Sequence, residues 1–495
     1  MSIPPDGWRS LFAQRAVEEI QRELAADIAR PMLRRVLGPI DLMLIGIGVI
    51  VGAGIFVVTG TAAALYAGPA ITVSFLLAGL ACALSAMCYA ELAAMIPAAG
   101  SAYTYAYATL GEVVAWLMGW NLVLEYLFAA SYVAVGWSGY FASFLRDRGI
   151  DLPAELVNPP FGGVHGHAAG HGAIINLPAI AIVACMAAVA LRGIAMSRTV
   201  NGIIVTLKLG VLLLVIACGA SYLHPHLWQP FVPPSKGIGT FGWSGILRGA
   251  GVVFVAYLGF DAIATTAQET RDPQRSLPRA ILGALAIATS LYIVVSLVLT
   301  GLVPYRELNV PNPLSVALSA SGAHLGWLVM CVDVAALVGL ASVILVVLLA
   351  QPRVLFAMSR DGFLPEWLGR IHPRTRVPHV STWISAVIVA TLAGCFPIGI
   401  LVQLVSIGTL GIFIVVCAGV IVLRRRRPEQ PRPFRTPGVP VVPALGILIC
   451  AYILSGLPRQ VWDLYGVWIA LGLLLYGCFG HRNARGVRAR KENRP

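Results

Sequence analysis

Gly46-Ile47-Gly48-Val49-Ile50-Val51-Gly52-Ala53-Gly54-Ile55-Phe56 lies inside the first long apolar run of the chain, roughly Leu37 to Leu65. Its glycines stand at 46, 48, 52 and 54. A glycine in a helix interior costs about 0.5–1 kcal/mol relative to alanine. A segment that only had to cross lipid would carry leucine and alanine instead. One reading is a helix that breaks in mid-membrane. Lipid offers the freed amides no partner, whereas an anionic group held at the N-terminus of the following half-helix does. The other reading is that the glycines allow close helix packing, as in many membrane helices. This stretch alone does not separate the two.

The surrounding sequence sets the membrane context. Of 495 residues, 58% are hydrophobic and 12% charged, against about 25% charged in soluble proteins. Mean hydropathy is +0.82. Apolar runs fall near 38–65, 70–95, 112–143, 174–192, 200–222, 243–266, 279–303, 325–352, 380–397, 399–423, 439–457 and 464–480. At about 20 residues per span, this predicts an all-α polytopic membrane protein with about twelve transmembrane helices.

The net charge of +13 does not call for nucleic acid, because the basic residues bracket the apolar runs. Arg34 and Arg35 precede the first run, and Arg192 and Arg198 lie between the fourth and fifth. Arg271, Arg275 and Arg279 precede the seventh, and Arg353, Arg360, Arg370, Arg374 and Arg376 follow the eighth. Arg424 to Arg427 follow the tenth, and the tail after Gly480 is arginine-rich. All these segments fall on one side, which places both termini in the cytoplasm of a bacterial inner-membrane protein. Arg146, Arg148, Lys236, Arg306 and Arg459 fall on the other side, so the rule acts as a bias.

Residues 1–36 carry Phe12, Val17, Ile20, Leu24 and Ile28 in a rough helical stripe, expected to lie on the inner membrane face. The segment from Gly100 to Gly111 lacks Lys and Arg and is expected to pack back into the protein. His165, His167 and His171 stand in an external loop without an acidic neighbour, and read as solvated rather than metal-binding. The nine cysteines lie in or beside apolar runs without metal-type spacing and read as small buried hydrophobes. No nucleophile–base set points to an enzyme.

The sixth run is also interrupted by glycine, at 249, 251 and 259, and ends in Gly259-Phe260-Asp261. Paired interrupted helices at matching positions of two halves are the best sequence pointer to a transporter site. Five spans separate them, an odd number, so the second half is inverted. The expected division is 37–222 for the first repeat, 243–424 for the second, 439–480 for two appended spans and 481–495 for a basic tail. Ionisable residues inside spans are functional candidates by default. Here they are Glu125 in the third, Lys208 in the fifth, Asp261 after the sixth-span break, and Asp333 in the eighth, whose role stays open. Low dielectric disfavours charge, which suits a lysine or carboxyl to proton exchange. Lys208 could instead snorkel, Glu125 could hold helices together, and Asp261 could cap the restarted helix. Glu91 lies near a helix end and reads as structural.

Taken in order, these motifs resemble the amino acid–polyamine–organocation superfamily, and within it the cationic amino acid transporter family of bacterial type, over about residues 30–480. The carriers are Gly46 to Gly60, Tyr89-Ala90-Glu91-Leu92 with Pro97, and Gly100-Ser101-Ala102-Tyr103-Thr104-Tyr105. To these are added Gly259-Phe260-Asp261-Ala262 through Glu269, Asp272-Pro273, and Ser359-Arg360-Asp361-Gly362 with Pro365. The resemblance implies a five-plus-five inverted repeat plus two helices, with alternating access about a midplane site. It places the substrate carboxylate on Ile50, Val51, Gly52, Ala53 and Gly54, and the amino group on carbonyls of Val255, Ala256 and Leu258, with Asp261 at the same site. Many relatives carry Thr or Ser where this chain has Ala53, so the backbone amides must serve. Val255 stands where family members often have Phe, which alters the gate. Lys208 matches the lysine of proton-coupled members and stands where sodium sits in sodium-coupled ones. Glu125 matches the third-helix acid. The expected function is proton-coupled symport of an amino acid into the cell, with no other cofactor and no sodium. The alternatives are an exchanger for amino acids or polyamines, and a sensor that binds without transporting. Substrate identity and oligomeric state are not set by the sequence.

Overall fold

A computed structural model describes residues 37–484, apart from 98–99, 162–172, 194–197, 267–269, 322–324, 374, 376 and 482. The amphipathic N-terminal segment, the His165/His167/His171 loop and the basic tail therefore lie outside the described residues. Among those described, the secondary structure is helical, with isolated bridges such as Leu37 to Thr270 and no extended strand.

The first span is broken. Helix α1, Pro39–Ile50, stops at Val51, and the chain resumes as helix from Gly54, with wide π-type turns at Gly54–Val58 and Ala63–Ala67. There follow α2 (Ile71–Met95), α3 (Ser101–Thr109), α4 (Glu112–Arg146), α5 (Leu177–Leu191) and α6 (Arg198–Gly219). The second broken span is α7 (Gly242–Val253), a tight turn at Phe254–Tyr257, then α8 (Phe260–Thr265). The remainder is α9 (Pro273–Leu302), α10 (Pro313–Ala320), α11 (Gly326–Arg360), α12 (His379–Cys395), α13 (Ile398–Arg426), α14 (Val441–Ser455) and α15 (Arg459–Leu475).

Long helices α4 and α11 form the main seam, and α13 packs along the other side of α4. Helix α9 lies against α2 and α1, while α6 touches both α11 and α1. The broken spans are thus enclosed by α2, α4, α6, α9, α11 and α13. Outward faces stay apolar: Leu213, Leu214, Val294, Val387, Leu448 and Leu474 are all exposed. Trp243, Trp327, Trp383 and Trp462 sit near helix ends, where their amphipathic rings suit a membrane interface. Lipid is the solvent these faces require.

Three expectations need adjustment. Helix α11 outruns its apolar run, passing through Pro352 to Arg360. Burial of Val354, Leu355 and Met358, the last packed on Gly119 of α4, overrides the proline signal. Helix α9 starts at Pro273, ahead of its apolar run, and tolerates Pro278 near its first turn. Not every cysteine is buried either: Cys185 and Cys478 are exposed on outward faces, and all nine are free thiols. The arginine-free segment does fold inward. Every residue of α3 is buried.

At the end of α2, Glu91 is 1% exposed and accepts from Arg424 Nε at 3.0 Å, Arg424 Nη2 at 2.8 Å and the Thr436 amide at 2.7 Å. Arg432 Nε adds an ion pair at 3.3 Å. This knot ties the loop after α13 to α2. Removing one partner of a buried ion pair costs about 3–5 kcal/mol. Glu91→Ala is therefore expected to lower the unfolding midpoint of the purified protein clearly. An unchanged midpoint would show that the knot does not hold the loop.

Candidate functional site

The two breaks meet. A Cβ at Gly54 would overlap both the Cα and the Cβ of Ala256, so only glycine permits this approach. On the other break, Gly259 has φ +118°, in the region that favours glycine. Its amide donates to Asp261 Oδ1 at 3.2 Å, while Tyr126 of α4 donates its hydroxyl to Asp261 Oδ2 at 2.8 Å. Asp261 therefore both caps α8 and ties it to α4.

The freed carbonyls of the first break are largely satisfied. Gly48 O accepts from Lys208 Nζ at 2.8 Å. Ile50 O accepts from the Gly52 amide at 2.8 Å and lies 2.6 Å from the Tyr292 hydroxyl. That hydroxyl is also 2.8 Å from Ala256 O, so Tyr292 bridges both breaks. Gly54 O accepts from Thr59, and Phe56 O from Tyr140. The donors are a different matter. A helix restarting here leaves its leading amides, Ala53 to Ile55, without preceding intrahelical acceptors. The Gly52 amide is committed to Ile50. The local surplus is of donors, at the positive end of a helix dipole, which is the chemistry of carboxylate capture.

Beside the breaks lies a narrow apolar pocket. Its wall is formed by Val49, by Tyr126, Ala129, Tyr132 and Val133 of α4, by Leu258, Gly259 and Asp261, and by Val343, Val346, Val347 and Ala350 of α11. Of the expected site residues, Leu258 and Asp261 line it, while Ile50 to Gly54, Val255 and Ala256 form the adjoining breaks. Lys208 is 1% exposed, with its methylenes packed on Gly339 of α11. It joins α6 to α1 from behind the breaks. Glu125 faces the Thr409 hydroxyl of α13, and its Oε1 is buried without a hydrogen-bond partner. Gln403 Oε1 and Ser406 Oγ on the same helix are equally unpartnered. Sequence reading missed Tyr126, Tyr292, Ser406 and Thr409. Each is a single polar group in an apolar helix, and its direction is set only by packing.

Paired broken helices, a donor-rich turn at their meeting point and an enclosing helical shell define a membrane transporter of small solutes. Comparison with known proteins gives the family. The family described as amino acid permease matches residues 37–478. A branched-chain amino acid permease of Bacillus subtilis is 42% identical over 96% of this chain and 99% of its own length. A methylthioribose transporter of the same organism is 44% identical over 96% and 99%. A vacuolar cationic amino acid transporter of Arabidopsis thaliana is 41% identical over 85% of this chain and 68% of its own. The chain belongs to the amino acid permease family of the amino acid–polyamine–organocation superfamily.

Proposed function

We propose that this protein is a proton-coupled symporter that carries a neutral, apolar amino acid into the cell. What supports the reading is the place of the Ala53 to Ile55 amides in the first turn of a restarted helix, where they have no intrahelical acceptor, beside a narrow pocket walled mainly by valines, Leu258 and Ala350. The carboxylate is assigned to those amides and the amino group to the carbonyl side of 255–258. The side chain is assigned to the valine-lined wall. A relative named as a branched-chain permease supports the same substrate class. Lys208, held on Gly48 O beside the break, is assigned the coupling proton in place of sodium. The inverted five-plus-five repeat, cytoplasmic termini and inner-membrane location belong to this reading.

The 44% identity to a methylthioribose transporter favours a second reading, in which the solute has no carboxylate. Uptake into proteoliposomes under an imposed pH gradient separates them, using labelled leucine, isoleucine, valine, arginine and methylthioribose. The expected result is gradient-driven accumulation of the branched-chain amino acids, lost on adding a protonophore. Uptake indifferent to the gradient would sink proton symport, and uptake of methylthioribose alone would replace the substrate class.

A further inference from the structure

Arg248 lies in the second turn of α7, and its guanidinium makes no hydrogen bond or ion pair among the described residues. Its Nε is buried without an acceptor, and the group sits over the Tyr66 ring, 4.5 Å from the centroid. No acidic residue occurs between Gly219 and Phe260. Glu307, on the turn whose Tyr305 packs on Phe241, forms no ion pair with it among the described residues. A tight turn over 236–240 leans on the same arginine: a Cβ at Gly239 would lie 2.8 Å from Arg248 Cδ. The turn is pinned by Lys236 N to Thr240 O at 3.0 Å, Thr240 N to Gly237 O at 3.2 Å and Gly239 N to Ser244 Oγ at 3.2 Å. At its tip Ile238 is 100% exposed. Trp243 is exposed as well and donates Nε1–H to the Tyr452 hydroxyl of α14 at 2.9 Å, a pair suited to a membrane interface. Single exposed hydrophobes are ordinary. A pinned turn that presents an isoleucine beside an exposed tryptophan and two cations without acidic partners has the composition of a surface that enters lipid headgroups.

We propose that Arg248 and the 236–240 turn bind the phosphate of an anionic phospholipid. The guanidinium fork, its Nε otherwise unsatisfied, takes phosphate oxygens. Lys236 adds a second positive charge, and Ile238 enters the acyl boundary. The site reaches the solute machinery through Tyr66. Phe241 donates its amide to Tyr66 O at 2.8 Å, and a Cβ at Gly245 would overlap the same oxygen. Tyr66 stands in the last turn of the half-helix that restarts at Gly54. A bound headgroup therefore braces the far end of the half-helix that carries the Ala53 to Ile55 amides.

Native mass spectrometry on delipidated, monodisperse protein tests the site. Wild type, Arg248→Gln, Arg248→Lys, Lys236→Gln and Ile238→Ser are titrated with phosphatidylglycerol or phosphatidylcholine, with inorganic phosphate as competitor. Wild type is expected to prefer phosphatidylglycerol. Arg248→Gln should weaken the first phosphatidylglycerol at least about tenfold, from loss of a charge-assisted pair. Arg248→Lys keeps the charge without the fork and should recover part of the affinity. Lys236→Gln should cost about fivefold. Phosphatidylcholine binding should stay unchanged in every arginine and lysine variant, which shows that the fold is kept. Equal phosphatidylglycerol affinity in wild type and Arg248→Gln overturns the site. Displacement of the lipid by inorganic phosphate, with Ile238→Ser binding as wild type, makes the ligand a free anion and overturns the lipid. In vesicles, phosphatidylglycerol should lower the leucine KM of wild type and not that of Arg248→Gln. The same lowering in Arg248→Gln overturns the brace. Lipid binding is read without solute, so failure of the transport reading is seen separately.

Discussion

Lys208→Ala is expected to abolish gradient-driven accumulation in proteoliposomes, bringing it down to the level of protein-free vesicles, while exchange of labelled for unlabelled solute persists. The lysine is fully enclosed, and its polar contact is to Gly48 O at 2.8 Å, two residues before the first helix ends. A hydrogen bond involving a charged group contributes about 1.5–3 kcal/mol, against about 1 kcal/mol for a neutral one. Losing the proton therefore weakens the tie between α6 and α1 by up to about 2 kcal/mol, or some thirtyfold in equilibrium. Under the proposed proton symport, that difference would make one conformation of the break depend on protonation. Without the amine, the break is released from the proton but still offers its amides to solute. Accumulation retained in Lys208→Ala would show that coupling resides elsewhere.

The second large effect is expected at Gly54. Alanine at this position would put a methyl group into the backbone of Ala256, and backbone cannot step aside as a flexible side chain can. Overpacking of this kind costs about 1–3 kcal/mol where neighbours can shift. Here the shift would separate the two breaks and misplace the amides of 53–55. Solute affinity should fall at least tenfold for Gly54→Ala and become undetectable for Gly54→Leu, measured by equilibrium binding on monodisperse protein. Gly466→Ala, where no atom lies within 4 Å of the added carbon, serves as the matched control and should bind as wild type. Unchanged affinity in Gly54→Ala would refute carboxylate capture at this turn.

Much of this arrangement was legible in the chain itself. Glycines at 46, 48, 52 and 54 are costly in a helix, and their recurrence at 249, 251 and 259 marks both breaks in the sequence. Lys208 stood out because a cation in an apolar run is rarely idle. The partners of these residues were not legible. Tyr292 reaches both breaks from α9, 242 residues from Ile50 and 36 from Ala256, and nothing local distinguishes it from any aromatic facing a core. Ser406 and Thr409 are ordinary in a membrane helix until α13 turns them toward Glu125. Glu91 read as structural, but the two arginines around it lie far along the chain, one in the last turn of α13 and one past it. Long-range side-chain pairing leaves no periodic trace, whereas backbone breaks do.

The contact of Gly54 with Ala256 has one more consequence. The overlap that a single added carbon would cause means that the two backbones already touch, leaving no room for a water molecule between them. A file of waters cannot thread this seam, and a proton cannot hop along it. The seam is in effect an insulator at the centre of the protein, closed to ions as well as to water.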